Sequence, residues 1–364
     1  MTCLVAIPND PVSAYLKKGE IKAGYFNPGR LFDRVHLISL TDQDVPAKDV
    51  LELAGGAELS IHSLGWPRIF DLPFFLGRAS RFIASLQPDL IRAHNPWLAG
   101  CLAVWAGRKL GLPSLIYLHI ENDQRRRFDK TWRFKLVKPL ERYTLSRASA
   151  VVAVSGFVAE YAKRYGAKRV ETIYNKVFCQ QFVPPWPKGF HQPIRLLYVG
   201  RLDPQKAPEV IIEAVAGLEV ELTIIGQGQE RPRLESLARR LGVRVEFIPA
   251  VPHPRIQEHY HQADIFVLAT RYEGFCIPVL EAMAAGLPVV ASQTPPIPEI
   301  LGETGLLVPN CPQAFREALL KLMAAPDFAL ALGRQARQRA LSLDGGIMEA
   351  KEVALYQELL AQKR

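Results

Sequence analysis

Short apolar runs rich in Val, Ile and Leu recur along the chain and alternate with longer amphipathic stretches. Runs that are apolar on both faces are typical of parallel strands, and the stretches between them are typical of covering helices. The alternation therefore predicts an α/β fold with doubly wound parallel sheets. The predicted strands are Cys3–Ile7, Val35–Ser39, Leu90–Ala93, Leu115–His119, Val151–Val154, Glu171–Ile173, Arg195–Val199, Glu221–Ile225, Val245–Ile248, Ile265–Ala269 and Pro288–Ala291.

A proline-rich segment near the middle divides this pattern into two halves. Residues 183–193, VPPWPKGFHQP, cannot continue a helix or a central strand. The chain has 364 residues, and a single core rarely grows beyond ~250–300 residues. We predict two facing Rossmann-like domains with a cleft between them, residues 1–188 and 189–346. We expect a C-terminal helix, residues 347–364, to pack back on the first.

Composition narrows the class of protein and its partners. The five cysteines are odd in number and form no CxxC pair, which favours reduced thiols in a cytoplasmic protein. No apolar run reaches the ~18 residues of a membrane span, and the amino terminus lacks the basic start of a secretory signal. The net charge of +9 indicates a polyanionic partner: nucleic acid, an anionic membrane or a phosphate-bearing ligand.

Polar residues follow several predicted strands at the edge where parallel sheets bind ligands. In open sheets of this type, ligands bind at the carboxyl ends of the strands. This rule predicts that the loops after the strands line the binding site. In the first half it selects His94, Asn95, His119 and Ser155; in the second it selects residues 200–206, 226–228 and 270–275. His94 has a second interpretation, as a hydrogen-bonded core histidine.

Two cations follow the first strand of the second half. Arg201 and Lys206 are five residues apart in a loop that Gly200 allows to turn. A forked guanidinium and a compact ammonium suit a diphosphate, although most such residues are solvated surface charges. We predict a diphosphate site, and we expect Arg201→Ala and Lys206→Ala to fold because loop side chains carry little core packing.

Two glutamates, Glu273 and Glu281, flank the start of a short apolar helix predicted over residues 278–285. Pro278 suits the first turn, and free N–H groups at a helix start attract anions. The carboxylates can accept hydrogen bonds from ligand hydroxyls, or Glu281 can simply favour the helix dipole. Gly226 opens an incomplete GxGxxG pattern, which indicates a loop near a nucleotide. No Asp-x-Asp motif follows a strand, and His253, His259 and His261 are too irregularly spaced to predict a metal site.

A strongly basic stretch, Arg125–Arg147, also contains Trp132 and Phe134. It can form an interfacial helix on an anionic membrane, or a solvated helix whose aromatic residues face the core. We keep both interpretations, with some preference for the solvated helix. Nucleic-acid binding is not expected, because no recognition motif accompanies the charge.

Longer motifs in the second half resemble a known family. They are VGRLDPQKAPEVIIEAV (Val199–Val215), LTIIGQGQERPRLESLA (Leu222–Ala238), ADIFVLATRYEGFCIPVLEAMAAGLPVVAS (Ala263–Ser292) and IPEILGETGLLVP (Ile297–Pro309). Together they cover most of residues 195–310. They resemble the retaining glycosyltransferases of family 4, which have the GT-B fold. The first half matches more loosely, through DLIRAHN, YLHIEN and ASAVVAVS.

The resemblance implies roles for individual residues. Arg201 and Lys206 would hold the donor diphosphate, Glu273 the transferred sugar and Glu281 the ribose. The backbone of Gly274, Phe275, Cys276 and Ile277 would contact the sugar or distal phosphate. His119 would lie beside the donor sugar across the cleft, and Gly226 near the nucleotide. His94, Asn95 and Ser155, which are selected by their strand-end positions and not by the resemblance, are predicted to line the cleft on the acceptor side. Cys276 and Pro249 depart from the family, which usually has glycine at both positions.

The resulting prediction is a metal-independent, retaining glycosyltransferase that needs no cofactor. It would transfer a sugar from a UDP- or GDP-sugar to a glycan, a lipid-linked acceptor or a small molecule, as in cell-envelope polysaccharide synthesis. We expect a cytoplasmic enzyme, with peripheral contact at the inner membrane face as an open alternative. A nucleotide-sugar-binding protein without catalysis, or an epimerase or phosphorylase of the same fold, would share these motifs.

Overall fold

The computed structural model describes residues 1–18, 21–67, 71–129, 137–183 and 189–362. The chain forms two compact units: Met1–Tyr174 together with Met348–Arg364, and Asn175–Ile347. Each unit is built on one parallel sheet with helices between successive strands. The α/β class and the two doubly wound sheets expected from the sequence are confirmed.

The first unit contains a seven-stranded parallel sheet in the order β3-β2-β1-β4-β5-β6-β7. The strands are β1 Cys3–Ile7, β2 Arg34–Ser39, β3 Glu58–Ser63, β4 Leu90–His94, β5 Ser114–Leu118, β6 Ala150–Ala153 and β7 Val170–Thr172. Its α-helices are Val12–Lys18, Leu72–Ser85, Leu98–Leu110, Asn122–Asp129, Lys138–Arg147, Gly156–Arg164 and most of Gly345–Ala361. Strands β1, β4 and β5 are buried along their whole length, as their apolar sequences predict.

The second unit contains a six-stranded parallel sheet in the order β10-β9-β8-β11-β12-β13. The strands are β8 Ile194–Val199, β9 Val220–Ile225, β10 Val245–Ile248, β11 Ile265–Leu268, β12 Val289–Ser292 and β13 Leu306–Val308. Its α-helices are Pro208–Ala214, Arg231–Leu241, His253–Gln262, Ile277–Ala284, Ile297–Leu301, Pro312–Ala324 and Pro326–Leu341.

Strand order locates the ligand edge of each sheet. In the first sheet the order reverses between β1 and β4, and in the second between β8 and β11. At such a point the connections diverge to opposite faces and leave a crevice at the carboxyl ends of the strands. The loops after β1 and β4, and after β8 and β11, are therefore the positions where each unit can hold a ligand.

The predicted strands coincide with observed ones to within one residue at each end, but two edge strands were missed. Strand β3 has the sequence ELSIHS and is partly exposed, and β13 is three residues long. Strand β3 lacks the continuous apolar run of a central strand, and the apolar run of β13, LLV, is only three residues long. Edge strands of this kind are weakly marked in a sequence because only one neighbour covers them.

The two units divide after Tyr174, whereas the sequence analysis places the boundary after residue 188. A 3-10 helix, Cys179–Phe182, lies in the second unit. There the Phe182 ring meets Tyr260 edge-on at 5.6 Å, and the Cys179 thiol lies 3.4 Å from the Ala340 carbonyl oxygen. Residues 184–188 of the proline-rich segment lie outside the described residues.

The C-terminal helix packs into the core of the first unit. Met348, Leu355 and Leu359 are buried in the same cluster as the β1 and β2 side chains. Across the described ranges, no helix combines the length and the apolar character required to cross a bilayer.

Candidate functional site

At the carboxyl edge of the second sheet, the loops after β8 and β9 are in direct backbone contact. The Gly200 amide donates to Ile225, and the Leu202 amide donates to Gln227 at 2.9 Å. A Cβ on Gly226 would lie 2.0 Å from the Gly200 carbonyl oxygen. Glycine is therefore required because no side chain fits between the loops. The structure places Gly226 behind the Arg201 loop.

Arg201 projects from this loop with 65% of its side chain exposed. Its guanidinium contacts Asp203 and Gln205, at 2.8 Å each. Gln205 in turn donates to the Tyr272 carbonyl oxygen at 2.8 Å. These contacts hold a cation at the sheet edge. A guanidinium has five N–H donors, so others can reach a ligand.

Lys206 and Glu273 form a buried ion pair, which the sequence analysis did not predict. The Lys206 Nζ lies 2.6 Å from Glu273 Oε1, and the two side chains are 11% and 6% exposed. The Thr270 hydroxyl donates to the same carboxylate oxygen at 2.9 Å. Burial lowers the pKa of Lys206, but the charge and hydrogen bond of Glu273, together with Cys276, outweigh this effect and raise the pKa overall. Lys206 is therefore a fixed cation beside the Glu273 side chain.

The Thr270 carbonyl oxygen connects the Glu273 loop to the neighbouring strands. It accepts hydrogen bonds from Ser292, Thr294 and Asn310 at 2.9–3.1 Å. These polar side chains lie at the ends of β12 and β13, and the sequence analysis did not select them. Ser292 closes an apolar strand with a hydroxyl, which is the signal that could have identified it.

The helix that carries Glu281 begins one residue earlier than predicted, at Ile277, with Pro278 in its first turn. Cys276 precedes it with a φ of 102°, a conformation that favours glycine. Its thiol is buried, which raises its pKa. Glu281 is also buried and accepts a 2.7 Å hydrogen bond from the Tyr260 hydroxyl. Tyr260, in the last turn of the helix His253–Gln262, was not predicted.

The first unit has its own cavity, of about 270 Å³, at the carboxyl edge of its sheet. Asn95 lies at its wall with a φ of 149°, and its amide bonds to Asn9 at 2.7 Å. A Cβ on Gly100 would lie 2.3 Å from the Asn95 carbonyl oxygen, so the following helix can approach only because residue 100 is glycine. The lining includes Asn9, Tyr25, His94, Asn95, Trp97 and His119.

His94 and His119 stack in this cavity with ring centroids 5.3 Å apart. His94 Nδ1 lies 3.2 Å from His119 Nε2, and His94 Nε2 accepts from Arg92 Nε at 2.9 Å. His94 is 1% exposed, and burial followed by the Arg92 charge lowers its pKa well below 6.5. His94 thus combines both interpretations from the sequence, a hydrogen-bonded core histidine and a cavity residue.

Arg92 is the buried cation behind the two histidines. It lies 4.0 Å from the Tyr117 ring centroid, 3.0 Å from the Tyr356 hydroxyl and 3.5 Å from Glu352. The sequence analysis treated it as one residue of an apolar strand. The arginine inside the run LIRAH is the signal that could have identified it, because a central strand buries a charge only when partners surround it.

Ser155, selected as a cleft residue, has a local structural role. It is the N-cap of the helix Gly156–Arg164, and its hydroxyl accepts from the Val158 amide at 3.2 Å. It is fully buried and is not among the residues that line the first-unit cavity. Such a cap is worth about 1 kcal/mol to the helix.

The basic stretch Arg125–Arg147 is described only in part, because residues 130–136, with Trp132 and Phe134, lie outside the described residues. Arg126 pairs with Glu141 and with Asp123, the latter at 2.8 Å. Arg125 lies 6.0 Å from the Trp97 ring, at the first-unit cavity. Part of the basic charge is therefore engaged within the unit. Where the chain is described, no group of three His, Cys, Asp or Glu residues could hold a metal ion.

Two family models match the chain. The model described as "Glycosyl transferases group 1" matches residues 186–339, and the model described as "Glycosyltransferase Family 4" matches residues 30–181. A D-inositol 3-phosphate glycosyltransferase of Streptomyces scabiei is 30% identical over 308 residues, 74% of this chain and 67% of the relative. An uncharacterized glycosyltransferase of Methanocaldococcus jannaschii is 23% identical, over 74% of this chain and 76% of its own.

Solved structures with the same fold are also known. Sucrose-phosphate synthase from Thermosynechococcus elongatus has a TM-score of 0.77 and 21% identity, with all of both chains covered. Anabaena HepE, solved in complex with UDP-glucose, has a TM-score of 0.75 and 18% identity, over 98% and 99% of the two chains. The two parallel sheets and these matches define a glycosyltransferase of the GT-B fold. The chain belongs to glycosyltransferase family 4, as the sequence motifs predicted.

Proposed function

We propose that the enzyme transfers a sugar from a nucleoside diphosphate sugar, with UDP or GDP as the nucleotide, and that its second unit binds the donor. The observation that carries this proposal is the Lys206–Glu273 pair at the β8/β11 switch point, with Arg201 on the same edge. It places two cations and a carboxylate where sheets of this class bind ligands. The structure of HepE with UDP-glucose supports the same donor class.

Arg201 and Lys206 stabilise the negative charge that develops on the departing diphosphate. The exposed Arg201 fork can bind two phosphate oxygens, and Lys206 supplies a compact charge. The start of the helix Ile277–Ala284 adds the positive end of its dipole. Together these groups perform electrostatically what a metal ion performs in other transferases, so we propose catalysis that is independent of metal and cofactor.

The two glutamates bind different parts of the donor. Glu273 Oε1 already accepts from Lys206 and Thr270, and a carboxylate has about four acceptor sites. The remaining sites can accept hydroxyls of the transferred sugar. Glu281, oriented by Tyr260, accepts the ribose hydroxyls. The backbone from Gly274 to Ile277 contacts the sugar or the distal phosphate.

The first unit binds the acceptor in its cavity, where His94 and Asn95 line the wall. The acceptor is a glycan, a lipid-linked sugar or a small molecule, and His119 contacts the transferred sugar. We propose that the anomeric configuration is retained, and among the described residues we assign no carboxylate as a nucleophile for a double displacement. The acceptor hydroxyl attacks from the face of the leaving group, and the departing phosphate oxygen takes its proton. Family membership supports retention.

We propose that the basic stretch either is a solvated helix face or binds a phosphate-bearing acceptor or an anionic membrane surface at the cytoplasmic face. Arg125 at the first-unit cavity supports the acceptor alternative, as does a relative named for D-inositol 3-phosphate. The membrane alternative would suit the synthesis of cell-envelope polysaccharides. Each Lys or Arg near anionic lipid contributes about 1 kcal/mol, so vesicle binding that fails at low salt would favour the acceptor alternative.

A donor screen tests the proposed function. The purified chain is incubated with UDP-, GDP- and ADP-sugars, and released nucleoside diphosphate is measured with and without EDTA. We expect release from one nucleotide class, survival in EDTA, and a loss of on the order of 10²–10³ in kcat for Arg201→Ala. Restoration by Mg²⁺ after a complete loss in EDTA would contradict metal independence. Binding without release from any donor would instead indicate a nucleotide-sugar-binding protein.

A further inference from the structure

Arg92 gives the hydrogen bonds behind the first-unit cavity a fixed direction. A guanidinium has five N–H donors and no acceptor, and it stays protonated at every pH at which proteins fold. Its Nε–H points at His94 Nε2, at 2.9 Å. Because Arg92 can only donate, this nitrogen of His94 must be the acceptor, and it cannot carry a proton.

The proton of His94 therefore lies on Nδ1. The ring is neutral, because burial and the nearby Arg92 charge lower its pKa well below 6.5. A neutral imidazole carries one proton, and Nε2 is already an acceptor. Nδ1–H faces His119 Nε2 at 3.2 Å, and the Tyr25 hydroxyl oxygen is 3.5 Å away. The shorter contact makes His119 Nε2 the next acceptor.

The contact with His94 also fixes the position of the proton on His119. Because His119 Nε2 accepts from His94, this nitrogen carries no proton, and the one proton of the neutral ring lies on Nδ1. We propose that Arg92 is a positioning residue that acts through His94 to hold His119 as the neutral Nδ1–H tautomer. His119 then presents a hydrogen-bond donor to its ligand and does not act as a general base.

The C-terminal helix holds the guanidinium in this orientation. Tyr356 accepts from Arg92 Nη1 at 3.0 Å, and Glu352 lies 3.5 Å from the same atom. Tyr117 donates to Glu352 and packs its ring against the guanidinium. These contacts offset the cost of burying the charge. Through these contacts with Arg92, residues of the last helix help to fix the tautomer of His119 in the first-unit cavity.

The tautomer defines the ligand group that His119 recognises. A neutral Nδ1–H donor suits an oxygen acceptor such as a sugar hydroxyl or a phosphate oxygen. This assignment of a ligand rests on the proposed function, whereas the tautomer itself follows from the hydrogen-bond geometry alone. The two can therefore fail separately in an experiment.

Nitrogen NMR of the full-length chain labelled with ¹⁵N-histidine tests the tautomer directly. Near pH 7 we expect pyrrole-type shifts at Nδ1 and pyridine-type shifts at Nε2 for both rings. The two rings are assigned from the spectra of His94→Phe and His119→Asn. A protonated Nε2 on His119 in the unmodified protein, or rapid exchange between tautomers, would overturn the proposal.

His94→Phe separates positioning from packing. It keeps an aromatic ring at this position but removes the hydrogen bonds that connect Arg92 to His119. We expect His119 to shift toward the Nε2–H form and kcat to fall by about two- to tenfold, the equivalent of one neutral hydrogen bond. The control is His62→Phe. His62 Nε2 lies 3.1 Å from His36 Nδ1, and in the part of the chain that the structure describes His62 has no hydrogen bond or ring contact with His94 or His119. His119 that remains Nδ1–H in His94→Phe would refute a role for Arg92. A correct tautomer without turnover would count against the proposed function instead.

Discussion

Removing the charge of Lys206 tests whether the buried pair in the second unit is one interacting element. Lys206→Met keeps a similar volume but leaves the Glu273 carboxylate, with its 6% exposed side chain, without its cation. Thr270 still donates to the carboxylate at 2.9 Å. Breaking a buried ion pair from one side costs about 3–5 kcal/mol, so we expect a loss of that size in the free energy of unfolding. The reason for expecting Lys206→Ala to fold, that loop side chains carry little core packing, does not hold for Lys206, because its side chain is buried.

The double variant Lys206→Met with Glu273→Gln removes both charges and should recover much of the loss. The introduced amide oxygen can still accept the Thr270 hydroxyl, so we expect the double variant to be less stable than the native chain by about 0–2 kcal/mol. The pH is kept near neutral. Because the folded pKa of Lys206 is raised, its stabilising contribution is complete below the unfolded value and is lost only as the pH rises through the folded value.

Differential scanning calorimetry provides the assay, since the two units can unfold in separate transitions. The control is Lys321→Met, an exposed lysine of the second unit that lies 5.4 Å from the Phe328 ring. It should cost no more than about 1 kcal/mol. The single variants Lys206→Met and Glu273→Gln are measured beside the double variant. If their losses in unfolding free energy simply add in the double variant, an interaction between the two side chains would be refuted. A stable Lys206→Met protein would refute the burial argument itself.

Three further predictions concern the backbone and pH. Cys276→Gly should be more stable than Cys276→Ala by about 1 kcal/mol in urea unfolding, because only glycine relieves the φ of 102°; the reverse order would exclude strain. Gly226→Ala should lose about 1–3 kcal/mol more than the control Gly217→Ala, which has a positive φ but nothing within 4 Å of its Cβ; equal losses would refute close packing. Stability should fall as the pH drops below 6.5, by up to about 1.4 kcal/mol per pH unit for His94. That slope should be smaller in His94→Phe, and an unchanged slope would mean that a group other than His94 causes it.

Central strands could be predicted from the sequence because burial on both faces leaves a continuous apolar run. The edge strands β3 and β13 were missed, since the partly exposed β3 mixes apolar and polar residues and β13 is a short run that no polar strand-end residue marked. The domain boundary follows the packing of Phe182 on Tyr260. A proline-rich segment shows where regular structure stops, but it does not show which core its neighbours join.

The candidate site was predictable as a set of residues at strand ends, but not as a set of interactions. Arg201, Lys206 and Glu273 were selected from their charge, their strand-end position and the family resemblance, whereas the Lys206–Glu273 contact depends on how two loops pack. The strand-end rule selected Ser155 but did not predict that its hydroxyl caps a helix. The role of Arg92 could not be predicted, since its partners Glu352 and Tyr356 come from the far end of the chain.

Calorimetric titration with UDP and UMP, and with GDP and GMP, tests most directly the claim that Arg201 and Lys206 form a diphosphate site. We expect the preferred diphosphate to bind more tightly than its monophosphate by about 10- to 100-fold, the equivalent of a charge-assisted hydrogen bond. Arg201→Gln should remove most of this difference, and Arg255→Gln, a change at an arginine that is 71% exposed, should preserve it. Equal affinities for mono- and diphosphate, or an unchanged difference in Arg201→Gln, would contradict the claim.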